Sequence, residues 1–140
     1  MNRFLAGYSP LYPALTGVVF TGFLLISAVL QAATPMRSVS VTMGDYRFSP
    51  DSIGVQSGET IRLELVNTDK LTPHNFTLKA EAAGLNVDID VSAGGTEILD
   101  ITPLAPGTFE FYCNKKLPFM KSHRHRGMEG ALIVAPAGPE

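Results

Sequence analysis

The sequence predicts an all-β sandwich or small barrel of about seven or eight strands. Short runs alternate apolar and polar residues with a period of two. Turn-forming Gly, Pro, Asn and Asp separate them at fairly even intervals. No long stretch carries the helical period, which excludes a parallel sheet covered by amphipathic helices.

The elements follow in order. "SVSVTM" (Ser38–Met43) alternates. In "ETIRLELVN", Ile61, Leu63 and Leu65 share one face and Arg62 and Glu64 the other, because strand side chains two apart point the same way. "HNFTLKA" places His74, Phe76 and Leu78 together, and "KAEAAG" after it suggests a short helix. "NVDIDV" alternates Val87, Ile89 and Val91 with two aspartates, and "TEILDI", "GTFEFYC" and "GALIVA" complete the set. "SPDS", "QSGE", "NTDKLTP", "SAGG" and "PLAPG" are the turns.

Residues 1–33 read as a leader and 34–140 as one domain. Arg3 is the only charge before Arg37, and the apolar run "ALTGVVFTGFLLISAVL" spans Ala14–Leu30 before the small-residue "QAA". A basic start, an apolar run and a small-residue end make a secretory signal peptide, cut after Ala32 or Ala33. The other reading is an uncleaved anchor, since the run reaches the lower edge of the roughly 17–25 residues that span a bilayer. Both readings export the domain, with the bacterial periplasm as the expected compartment. Its 107 residues suffice for a core without disulfides, and the single cysteine could form no internal one.

That cysteine sits in a segment rich in metal donors. "FYCNKKLPFMKSHRHRGMEG" (Phe111–Gly130) gathers Cys113, two of the three histidines and two of the five methionines. Cys113 shares parity with Phe109 and Phe111, and His74 with Phe76 and Leu78, so both should face inward at strand ends. Singly, a buried Cys is a small hydrophobe and a Met is core filler. Together, thiolate, imidazole and thioether suit copper, which two His and one Cys hold trigonally with a long axial Met bond.

The chain then resembles a known family, the cupredoxins or blue-copper proteins of the plastocyanin and azurin kind, over about residues 38–135. "YRFSPDSIGVQSGETIRLELVN" is similar to the family's opening strands, "PHNF" to its first ligand loop and "PGTFEFYC" to the strand that delivers the thiolate. "HRHRGMEGALIV" resembles the closing pattern of His, four residues, Met, one residue and Gly before the last strand. The resemblance implies a Greek-key sandwich with His74, Cys113, His123 and Met128 as copper ligands. It implies that Asn75 ties the His74 loop to the cysteine loop. His125, in an H-x2-M spacing, and Met120 stand as alternate ligands. The interval "NKKLPFMKS" between Cys113 and His123 is longer than in the best-known members. It is similar to loops in cupredoxin-like domains of bacterial periplasmic metal-uptake proteins.

Three functions remain open on the sequence. One is exported one-electron transfer through a mononuclear type 1-like copper site. Another is periplasmic copper handling, or iron or copper uptake, without fast electron transfer. The third is a β-sandwich interaction module with no metal. No nucleophile or base beside the ligands suggests an enzyme. A formal net charge of −2 and the lack of a phosphate-binding loop argue against a nucleic-acid partner. The charge is unevenly spread. Residues 34–140 carry 10 Lys or Arg and 13 Asp or Glu, yet Lys115, Lys116, Lys121, Arg124 and Arg126 lie in one acid-free stretch. Such a basic cap would steer an acidic redox partner, or a membrane-associated one.

Overall fold

Alternation along the chain becomes two facing sheets. The computed structural model describes residues 36–138; the expected leader and its cleavage site lie outside them. The strands are β1 (Arg37–Gly44), β2 (Arg47–Ser49), β3 (Ser52–Gln56), β4 (Ile61–Asn67), β5 (His74–Ala80), β6 (Leu85–Val91), β7 (Thr96–Ile101), β8 (Gly107–Tyr112) and β9 (Glu129–Ala135). One sheet has the order β2-β1-β4-β7 and the other β3-β9-β8-β5-β6. The chain crosses between sheets after β2, β3, β4, β6 and β7, which makes the all-β sandwich the sequence predicts.

The structure differs from the expectation at two places. Two short strands flank the "SPDS" turn: β2 pairs with β1, and β3 pairs with β9 in the opposite sheet, so the described residues form nine strands rather than seven or eight. Pro50 lies between β2 and β3, where its missing N–H costs neither ladder a hydrogen bond. The short helix expected at residues 79–84 is a single 3-10 turn, Glu81–Ala83, closed by Gly84 at φ 71°. Four residues between paired strands leave no room for more.

Parity holds where it matters. Ile61, Leu63 and Leu65 are fully buried while Arg62 faces solvent and pairs with Asp100 of β7. β5 departs from simple alternation because it lies between β6 and β8, and His74 through Leu78 are all buried. The core closes on three rings. Phe76 and Phe111 stack at 4.9 Å, and Phe48 meets them edge-on at 5.9 and 5.2 Å.

Gly130 makes this packing fit. It opposes Phe111 across the β8–β9 ladder. A Cβ there would overlap the Phe111 ring and stand 2.5 Å from the Asp51 carbonyl oxygen. That carbonyl accepts the Ala131 N–H at 2.8 Å, so it cannot retreat without breaking the β3–β9 junction. Gly130→Ala should therefore cost about 1–3 kcal/mol, as overpacked cores do. Urea unfolding of the metal-free protein measures it, and an unchanged midpoint would refute the packing argument.

Candidate metal centre

Antiparallel pairing brings the beginning of β5 to the end of β8. The register Thr77↔Tyr112 and Leu78↔Phe111, continued past the ladder, sets Asn75 beside Asn114. His74 and Cys113 thus reach the same pole of the sandwich. His123 arrives from a separate direction, at the start of the 3-10 turn Arg124–Arg126. Its N–H donates to the Lys115 carbonyl at 2.9 Å, and its carbonyl accepts the Met128 N–H at 3.1 Å. The Cys113 N–H donates to the Met128 carbonyl at 3.0 Å.

The Lys115–His123 bond resolves the unusual loop length. It pinches the chain at its base, so residues 116–122 form a side loop outside the site. The path from Cys113 to His123 that shapes the centre is accordingly short.

Three donor atoms converge. The Nδ1 atoms of His74 and His123 are 3.1 Å apart, and Cys113 Sγ is 3.9 and 3.4 Å from them respectively. All three residues are buried. Separations of this size belong to ligands standing about 2.0–2.3 Å from one centre, as nitrogen and sulfur donors do around transition metals. The donor set, one thiolate and two imidazoles, suits copper. Met128 is fully buried beneath the same loop.

Burial shapes the protonation of the cluster. Burial pushes the Cys113 thiol above its ordinary value, against the opposing pull of backbone N–H groups from Asn75 and Lys115. A cation would reverse that balance and hold the thiolate. Burial, then the neighbouring His74 and Arg126, lower the His123 imidazole from its usual range, so it stays neutral and free to ligate.

Bonds beyond the donors fix the site. The Asn75 N–H donates to Cys113 Sγ at 3.4 Å, and its side-chain oxygen accepts the Asn114 N–H at 2.9 Å. Asn75 Nδ2 lies 2.7 Å from Asp88 Oδ1 and 2.9 Å from Asn114 Oδ1. Asn75 therefore ties the β5 start to the cysteine loop directly. The two alternates sit elsewhere. His125 is exposed and its Nδ1 meets Ser122 Oγ at 2.7 Å, while Met120 is 43 % exposed on the side loop.

Sequence reasoning missed two neighbours. Asp69 Oδ2 lies 2.8 Å from His74 Nε2. Tyr46 packs edge-on against His123 at 4.9 Å and His74 at 6.1 Å, with the Arg126 guanidinium over its outer face. Tyr46 sits in the β1–β2 turn with φ 58°, a conformation that nothing in its side chain announces. The spacing of Asp69, five residues before His74 in a turn, was the one available hint.

Comparison with known proteins agrees with this geometry. The family model described as a cupredoxin-like domain matches residues 17–134. A chloroplastic plastocyanin of Physcomitrium patens is 31 % identical over 121 residues, covering 82 % of this chain and 64 % of that protein. The copper-resistant cuproprotein CopI of Pseudomonas aeruginosa is 48 % identical over 48 residues, 34 % of this chain and 26 % of its own. This chain thus spans less than two thirds of either relative. Among solved structures, reduced auracyanin of Roseiflexus castenholzii aligns with a TM-score of 0.58 at 23 % identity, over 75 % of this chain and all of that one, a likeness of fold. With a family model matched over most of its length and a buried His–Cys–His cluster to match, the chain belongs to the cupredoxin-like family of copper-binding domains.

Proposed function

We propose that this protein is exported, to a bacterial periplasm, and transfers single electrons through copper that His74, Cys113 and His123 would hold, with Met128 as a further, weaker donor. The observation that carries the reading is the buried convergence of the three donors in a frame already braced by Asn75. Copper, when bound there, would supply the one-electron couple. The leader supports export. The test is the visible spectrum after Cu(II) is added to reduced, metal-free protein. An intense cysteinate-to-copper band is expected, and stoichiometric binding without it would move the protein to copper handling.

That second reading has its own support in Met120 and His125, soft donors exposed on the loop. The likeness to a copper-resistant cuproprotein points the same way. No binding at all would leave an interaction module.

The proposed docking face surrounds His123. A cavity of about 200 Å³ opens there between Tyr46, Leu71, Pro73, Lys116 and Leu117. Leu71 and Phe119 stand almost fully exposed nearby. The basic cap is smaller than composition suggests. Lys115 pairs with Asp90, and Arg124 with Glu110 and Glu129. Among the described residues, Lys116, Lys121 and Arg126 make no ion pair and remain to attract an acidic partner, Arg126 from its place over the Tyr46 ring.

Oxidation by hexacyanoferrate(III) probes this face. The domain from residue 34 on has 10 basic and 13 acidic residues, so net charge would repel the anion and salt would speed the reaction. Local steering by the lysines predicts the reverse: slowing with salt, and a loss of about tenfold in Lys116→Glu/Lys121→Glu at low ionic strength. A rate that rises with salt would sink the docking proposal.

A further inference from the structure

Asp69 touches the centre through the far nitrogen of His74. Their 2.8 Å contact joins a fully buried imidazole to a carboxylate whose side chain is 22 % exposed. The carboxylate is held from several sides. The Asp69 N–H donates to Asn67 Oδ1 at 3.0 Å, and its carbonyl accepts the Gly94 N–H at 2.9 Å. Asp69 Oδ1 accepts the Asp45 N–H at 3.3 Å. Asn67 in turn donates to the carbonyls of Thr72 and Val91, closing the loop that leads into His74. Oδ2 is thereby left to aim at the imidazole.

An ionised carboxylate only accepts hydrogen bonds. The proton in the contact therefore belongs to His74 Nε2, and Nδ1, the atom facing Cys113 and His123, keeps its lone pair. A carboxylate behind a ligating imidazole also raises its donor strength and places a negative charge near the metal. Both effects favour the more highly charged ion. His123 differs, since among the described residues no carboxylate hydrogen-bonds to it and it lines the cavity at the protein surface.

We propose that Asp69 is a positioning residue of the metal centre: it fixes His74 as the Nε2–H tautomer, directs Nδ1 to the donor cluster, and biases the bound couple toward Cu(II). The last part rests on the copper reading above; the tautomer does not.

Two measurements test it. In metal-free wild-type protein at pH 8, long-range proton–nitrogen NMR correlations should show His74 protonated at Nε2 and bare at Nδ1. A proton on Nδ1 would overturn the proposal without any variant. In Asp69→Asn, which keeps the shape and the backbone bonds, Cu(II) affinity should fall about 10–100-fold relative to Cu(I). Each factor of ten raises the reduction potential by about 59 mV. A folded variant with unchanged potential would reduce Asp69 to a loop staple. If wild-type protein binds no copper, the electron-transfer reading fails, while the His74 tautomer still decides whether Asp69 orients the ring. Should Asp69→Asn not fold, the wild-type tautomer decides: a proton on Nε2 with a bare Nδ1 supports the role, and a proton on Nδ1 overturns it.

Discussion

Cys113→Ser should abolish any intense visible band of the copper-loaded protein and weaken copper binding by more than the roughly 100-fold that loss of an outer partner can cost. Cys113 is the sole sulfur anion available, and the band requires a thiolate bonded to the metal. The fold should survive. Serine is close in size, and its hydroxyl would meet the Asn75 N–H and His123 Nδ1 that now face Sγ. His125→Ala is the matched control, because that ring is exposed and bonded to Ser122 rather than to the cluster. Spectra and copper titrations of the two variants give the answer. A colourless His125→Ala, or a coloured Cys113→Ser, would require a different set of ligands.

Phe111→Ala should destabilise the metal-free protein by about 3–5 kcal/mol, the range for deleting a fully buried aromatic ring. Phe111 has no exposed surface, contacts both Phe48 and Phe76, and covers the space Gly130 leaves empty. Those neighbours come from different strands of both sheets, so no single shift can refill the cavity. For a domain of about 100 residues, the melting temperature should fall by more than about 10 °C. A loss below about 1 kcal/mol in urea unfolding, the size of an ordinary substitution, would show that the core rearranges freely.

The sandwich was readable because burial leaves a period of two, as Ile61, Leu63 and Leu65 illustrate. The same parity put His74 and Cys113 inward at strand ends, where both are buried. Parity says nothing of partners, however. Which strands lie side by side depends on long-range pairing, and only the β5–β8 register makes the two ends meet. Tyr46 and Asp69 were not readable because backbone turns aim them. The pairing of charges was unreadable for a related reason. Arg124 and Lys115 look free in the sequence, since Glu110, Glu129 and Asp90 approach them only in the fold.

The hydrogen bond between His123 and Lys115 separates two jobs within one stretch of chain. Below it, Cys113, His123 and Met128 are buried and tolerate little change. Above it, residues 116–122 are largely exposed and, on the proposed function, would answer to whatever the protein meets. Descendants of this chain can therefore lengthen, shorten or recharge the side loop without retuning the copper. Selection for a new partner and selection for a working centre need not compete, and a loop transplanted between relatives at that pinch should carry its recognition with it.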